Sequence, residues 1–171
     1  MTRLLGLDVG DRRVGMAVGD DVRESVRPLA VLRRRTPAED AERLARIAAE
    51  QRADELVVGL PLDMDGGEGE QARLTRAWAS EMASRTGLHV TWQDERLTTE
   101  TAESTQPRLR RDRATGRPTR AAIVARRARV DRQAAVLILR SELDRRAPRR
   151  ATEASARHPE HDDGTGRPQT G

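Results

Sequence analysis

The chain has 171 residues without internal repeats, a length that fits one domain and a short tail. It contains no cysteine, which excludes disulfides and thiolate metal sites. The formal net charge is +4, and the positive side chains are arginines, since the sequence contains no lysine. Since the guanidinium group suits phosphate, we expect a polyanionic partner. The lack of Phe and Tyr argues against a surface that stacks single-stranded bases.

No apolar run of the sequence approaches the ~20 residues that a membrane span needs. The segment before Val9 is also too short to hold the apolar region of a signal peptide. We therefore expect a cytoplasmic protein without membrane contact.

Short apolar runs alternate with turns in the first part of the chain, which predicts an antiparallel meander. The three expected strands are Arg3–Asp8, Arg13–Gly19 and Arg27–Leu32. The period then changes, and later segments predict helices over 37–52 and 69–86 and strands over Glu55–Leu60 and His89–Gln93. The predicted fold class is α/β, with a mixed five-stranded sheet (antiparallel meander, then parallel strands) and helices on both faces.

A basic segment and an apolar helix follow the last predicted strand. Residues 107–129 contain nine arginines and one acidic residue, and we expect a mobile basic loop around short helical pieces. The apolar helix is predicted to start at Asp131 and to pack on the sheet through Ala134, Leu137 and Ile138. From about residue 147 polar residues dominate, so we expect a domain over 1–146 and a disordered tail over 147–171.

Three carboxylates lie at the predicted boundaries of strands or helices. Asp8 ends the first strand, Glu95 follows the last strand, and Asp131 lies at the predicted start of the apolar helix. If the first and last strands are parallel neighbours, Asp8 and Glu95 meet at one sheet edge, and the docked helix adds Asp131. Carboxylates without His or Cys suit Mg²⁺ or Mn²⁺, and two such ions can activate water against a phosphodiester.

Each of these acids also has a purely structural interpretation. Asp8 can form an Asx turn within "LDVGD", and Glu95 can pair with Arg96 or Arg13 at the surface. Asp131 can be a first-turn residue that the helix dipole favours. The loop "DGGEGE" is interpreted as a turn before a helix, because it lacks a lysine and its glutamates repel phosphate.

Four motifs carry a family resemblance, in the order "LGLDVGDRRVGMAVGD", "VVGLPLDMDGGEGEQA", "DERLTT" and "VDRQAAVLIL". Together they resemble the YqgF family, also called RuvX, of bacterial RNase H-like, RuvC-related proteins. The similarity spans approximately residues 3–145. It implies a ribonuclease H-like fold, a cytoplasmic location and a nuclease that matures the 5′ end of the 16S ribosomal RNA precursor. An older label of the family is Holliday junction resolvase.

Position by position, the resemblance implies that Asp8, Glu95 and Asp131 are the catalytic acids and the ligands of one or two Mg²⁺ or Mn²⁺ ions. Arginines beside these acids and in the basic segment are the expected contacts of a nucleic-acid backbone, which they hold without reading its sequence. These arginines are Arg13, Arg96, Arg110, Arg111, Arg113, Arg117, Arg120, Arg126 and Arg127.

The sequence leaves the substrate and the oligomeric state open. Structured RNA is the expected partner, and branched DNA is the partner if the protein is a Holliday junction resolvase in recombination and repair. A resolvase needs a symmetric dimer, whereas trimming one RNA end needs only a monomer. The alternative from another functional class is a non-catalytic nucleic-acid-binding assembly factor that keeps the same fold.

Overall fold

The computed structural model describes residues 2–23, 25–95 and 119–156. In chain order its elements are β1 (Arg3–Val9), β2 (Arg13–Asp20), β3 (Ser25–Arg33), α1 (Pro37–Gln51), β4 (Glu55–Leu60), α2 (Glu70–Thr86), β5 (His89–Asp94) and α3 (Arg120–Ala156). Within these ranges no helix combines the length and the apolar character that a membrane crossing requires.

The strands form one five-stranded sheet in the order β3-β2-β1-β4-β5. β1 pairs antiparallel with β2, and β2 pairs antiparallel with β3, so the predicted meander is confirmed. β4 runs parallel to both β1 and β5. The carboxyl ends of β1, β4 and β5 therefore lie along the same edge of the sheet.

The predicted starts and ends of α1 and α2 agree with the structure. Thr36 caps α1, because its hydroxyl accepts a hydrogen bond from the Glu39 N–H while the Glu39 carboxylate accepts one from the Thr36 N–H, each at 3.3 Å. α2 ends before Gly87, whose φ of 72° lies in the left-handed region that glycine adopts readily. Local capping chemistry thus sets these boundaries.

Strand alternation sends successive side chains to opposite faces of the sheet. Leu5 and Leu7 pack on the face that α1 and α2 cover, together with buried Leu44. Leu4 belongs to a second apolar cluster, on the face that α3 covers. Asp8 has the same strand parity as Leu4, so it lies on the α3 face.

Helix α3 begins earlier than the sequence predicted. It starts at Arg120 rather than Asp131, because the Thr119 hydroxyl accepts a hydrogen bond from the Ala122 N–H at 3.1 Å and caps the first turn. Residues 120–129 are therefore helical and not part of a loop, whereas residues 107–118 lie outside the described residues.

Along α3, the face that packs on the sheet differs by one position from the prediction. Ile138 is buried as expected, but Ala134 and Leu137 are only half-buried, and Ala135 and Leu139 are fully buried instead. The helix continues to Ala156, into the segment predicted as a tail. Residues 157–171 lie outside the described part of the chain.

Glycines in the strands let α3 approach the sheet closely. A Cβ atom at Gly15 of β2 would collide with the carbonyl group of Asp131, and one at Gly6 of β1 would lie 2.9 Å from the Ala135 carbonyl oxygen. Farther along the helix, Arg146 contacts Glu55 and the buried Glu142, each at 2.6 Å. The glycines set how near α3 lies, and the Arg146–Glu55 ion pair attaches its later part to β4.

We predict that Gly15→Ala lowers the free energy of unfolding by about 1–3 kcal/mol, since the added methyl group meets helix backbone that cannot rotate away. Urea titration followed by circular dichroism measures this loss. Gly19→Ala is the control in the same strand, because the contacts of its added Cβ would be milder. This atom would lie 3.2 Å from the Ser25 carbonyl oxygen and 3.3 Å from a Val26 methyl group. Equal losses for the two variants would contradict close packing of α3 on Gly15.

Candidate active site

The three predicted acids are carried by three different elements. Asp8 is in the last part of β1, Glu95 follows β5, and Asp131 lies within α3 rather than in its first turn. β1 and β5 are parallel but not neighbours, because β4 lies between them. The idea that Asp8 and Glu95 come from adjacent strands is therefore wrong, and the two side chains approach each other across β4.

Gly59 of β4 makes the approach across the central strand possible. Continuing the β1–β4 register one residue beyond Leu7 and Val58 places Gly59 beside Asp8. A Cβ atom at Gly59 would collide with the Glu95 carboxylate, so that carboxylate occupies the space a side chain would fill. On the other side of Asp8, its β2 partner is Gly15, over which the Asp131 backbone lies. Asp8 therefore sits between two glycines, each covered by another acidic residue.

Burial and the proximity of the acids raise the pKa values of Asp8 and Glu95. Burial, together with the negative charge of Asp131, raises the pKa of Asp8 to about 6. Burial, together with the charges of Asp8 and Asp94, raises the pKa of Glu95 to about 7. Asp8 thus interacts electrostatically with both other acids and is the centre of the group.

Arg13 of β2 contacts the third acid. Its Nε lies 2.9 Å from Oδ2 of Asp131, and the two side chains are 31% and 21% exposed. Neither of these two buried atoms makes a hydrogen bond of good geometry within the described ranges, so the contact is a Coulombic pair rather than an aligned hydrogen bond. Arg13, predicted as a nucleic-acid contact, here neutralises one carboxylate of the candidate site.

A cleft of about 270 Å³ opens beside Asp8. Its walls carry both charge signs and come from the β1–β2 turn and from α3. The lining residues are Asp8, Gly10, Asp11, Arg12, Arg13 and Asp131. Such a cleft places carboxylates and guanidinium groups within reach of one bound anion or cation.

The donor set fits a hard divalent cation in its chemistry. Carboxylates whose pKa values are raised by burial and by each other become more stable when a cation neutralises them. Across residues 2–23, 25–95 and 119–156, however, no three or more His, Cys, Asp or Glu side chains form a ready metal-binding group. The acids are neighbours, but their side chains are not arranged as a complete set of ligands.

Arg34 supports the turn that carries the cleft, and no sequence motif predicts this role. Its guanidinium donates a hydrogen bond to the Gly10 carbonyl oxygen at 2.9 Å and stacks on Trp78, with 5.5 Å between the guanidinium carbon and the ring centroid. The Trp78 ring N–H donates to buried Asp40 at 3.3 Å. Glycines inside strands, such as Gly59, do carry a readable signal, since they often mark close approach.

The predicted nucleic-acid contacts are only partly covered by the structure. Arg120, Arg126 and Arg127 are exposed on the first part of α3. The remaining predicted contacts lie outside the described residues and stay predictions: Arg96, Arg110, Arg111, Arg113 and Arg117.

A family model described as "RuvX: Holliday junction resolvase" matches residues 2–145. A relative from Anaeromyxobacter sp. (strain Fw109-5) is 46% identical over 144 residues, which is 84% of this chain and 98% of the relative. A relative from Nitrobacter winogradskyi is 41% identical over 150 residues, or 87% of this chain and 85% of the relative. Both relatives carry the name "Putative pre-16S rRNA nuclease".

A solved structure of T. thermophilus RuvC in complex with Holliday junction substrate superposes with a TM-score of 0.50 and 11% identity. The match covers 86% of this chain and 97% of the RuvC chain. At this identity the likeness concerns the fold alone, and it confirms the predicted RNase H-like architecture.

The pKa shifts predict an unusual pH dependence for the metal-free protein. Because the pKa values of Asp8 and Glu95 are raised on folding, the folded state holds protons that the unfolded chain has released between about pH 4 and 7. The contribution of these two groups to the free energy of unfolding therefore falls as pH rises through this range. We predict that Glu95→Gln stabilises the metal-free protein at pH 8 by about 1–2 kcal/mol, allowing for partial solvent exposure.

Denaturant unfolding of wild type and Glu95→Gln at pH 4 and pH 8, with chelator present, measures this difference. The gain should be small at pH 4, where the wild-type carboxyl group is largely protonated in both states. Glu42→Gln, at an exposed position of α1, is the control for loss of one carboxylate. A gain of equal size at both pH values would contradict the electrostatic account.

Proposed function

Since the chain belongs to the RuvX family, we propose that it is a metal-dependent nuclease that hydrolyses phosphodiester bonds of the 16S ribosomal RNA precursor at its 5′ end. The names of relatives that are 46% and 41% identical support the substrate. The proposal places the protein in the cytoplasm, with structured RNA as its partner.

The observation that carries the proposal is the position of Asp8. Its carboxylate lies at the carboxyl end of a central strand, interacts electrostatically with both Glu95 and Asp131, and lines the cleft. These three residues are the ones that would hold Mg²⁺ or Mn²⁺. When bound, one or two such ions supply a water of lowered pKa and positive charge for the phosphate oxygens.

The side chains around the cleft have roles of their own. Glu95 has a raised pKa of about 7 without metal, because of burial and the charges of Asp8 and Asp94, and its carboxyl group would give up its proton on binding the cation. Exposed Arg12 at the cleft wall is placed to orient a phosphate group by charge-assisted hydrogen bonds. The sheet keeps Asp8 in position while these groups act, because β1 is held by strands on both sides.

The exposed arginines at the start of α3 extend this surface. Arg120, Arg126 and Arg127 precede Asp131 on the same helix, so a nucleic acid that enters the cleft can continue along the helix. Contacts of this kind hold the phosphate backbone without sequence preference, and they weaken as salt rises.

One observation favours the alternative of a non-catalytic assembly factor that binds nucleic acid. Asp131 is paired with Arg13, and within the described residues the acids form no complete ligand group. On this alternative the fold binds RNA, and the acids serve only to shape the cleft.

We predict that Asp8→Asn lowers cleavage of a structured RNA carrying the 16S precursor 5′ end by about 100-fold or more in Mg²⁺ or Mn²⁺, since it removes the central charge of the site. Asp11→Asn is the matched control, because Asp11 lines the same cleft but is exposed. A four-way DNA junction run in parallel tests the resolvase activity that the family's description names.

Undiminished cleavage by purified Asp8→Asn protein would contradict the proposed mechanism. RNA that wild type binds but does not cut in either metal would support the assembly factor. Preferential cleavage of the DNA junction would support the mechanism but contradict RNA as the substrate.

A further inference from the structure

The Arg13–Asp131 contact brings a fixed positive charge into the acidic group. The Arg13 guanidinium is the cation in direct contact with Asp131, at 2.9 Å, and both residues line the cleft beside Asp8. The pair is two-thirds or more buried at each end. Its two contacting atoms are buried and have no hydrogen-bond partner within the described ranges, so each atom faces the opposite charge rather than solvent.

The backbone determines where this pair forms. Arg13 and Gly15 have the same parity in β2, and the Asp131 backbone lies directly over Gly15. Gly15 in turn is the register partner of Asp8. The Asp131 carboxylate therefore contacts the Arg13 guanidinium group while its charge acts on the carboxyl group of Asp8.

We propose that Arg13 is an internal counter-cation that exchanges with the divalent metal ion: the Arg13–Asp131 pair and a metal ion bound to Asp131 exclude each other. This inference rests on the proposed function, because it concerns the same acids. A guanidinium in contact with Oδ2 repels a divalent cation and occupies its approach to that oxygen. The pair therefore occupies one of the three carboxylates that a bound cation would need.

The geometry of the pair suits an exchange better than a permanent support. A pair that orients a metal ligand normally does so through a directed hydrogen bond, as carboxylates do for metal-bound histidines. Arg13 instead approaches Asp131 without an aligned hydrogen bond, so little directional energy is lost when the guanidinium leaves. The two interpretations predict opposite effects of Arg13 on metal affinity. An Arg13 that orients Asp131 strengthens metal binding, whereas an Arg13 that exchanges with the metal weakens it.

Calorimetric titration of the full chain with MnCl₂ tests the exchange. Arg13→Gln and Arg12→Gln both remove one positive charge from the cleft wall, and the structure pairs Arg13 with Asp131. We predict that Arg13→Gln binds Mn²⁺ about five- to tenfold more tightly than Arg12→Gln. Arg13→Lys, which keeps a cation, should stay close to wild type. Equal affinity of the two glutamine variants, or weaker binding by Arg13→Gln, would overturn the proposal.

Thermal unfolding distinguishes a failure of the Arg13 exchange from a failure of the proposed metal-dependent function. With chelator, Arg13→Gln should melt at lower temperature than Arg12→Gln, and Mn²⁺ should raise its melting temperature more than that of wild type. If wild type and both glutamine variants bind Mn²⁺ alike, the exchange fails and the metal-dependent function stands. If none of them binds Mn²⁺ although Arg13→Gln is destabilised without metal, both the exchange and the metal-dependent function fail.

Discussion

The close approach of α3 to the glycines of the sheet is the constraint on which the rest of the site depends. Gly15 accepts the helix backbone at Asp131, and Gly6 accepts it at Ala135. A larger residue at either position would lift the helix and move Asp131 away from Asp8. Gly59 serves the same purpose for Glu95 on the other side. The absence of three side chains therefore brings three carboxylates together.

This arrangement stores electrostatic repulsion at one edge of a stable sheet. Burial and mutual charge raise the pKa values of Asp8 and Glu95, and Arg13 offsets part of the charge of Asp131. The apolar clusters on both faces and the ion pairs of Arg146 stabilise the fold that carries this unfavourable group. A site built in this way gains free energy from a bound cation, because the cation removes repulsion already present in the fold.

Much of this fold follows from local sequence signals, whereas the contacts within the site do not. The meander, the capping box at Thr36 and the end of α2 at Gly87 were predictable, because each depends on neighbouring residues. The early start of α3 was not, since residues 120–130 lie mostly exposed and show no apolar periodicity. Sequence order also could not place β4 between β1 and β5, nor pair Arg13 with Asp131, because both depend on packing between distant segments.

The proposed cation site depends on Asp8 as its anchor, supported by glycines on both neighbouring strands. Anomalous diffraction from crystals of the wild-type protein grown with Mn²⁺ tests it most directly. If Asp8 anchors the cation, a manganese peak should lie at bonding distance from a carboxylate oxygen of Asp8 and from at least one of Glu95 and Asp131. Manganese bound elsewhere on the surface, with no peak at Asp8, would contradict it.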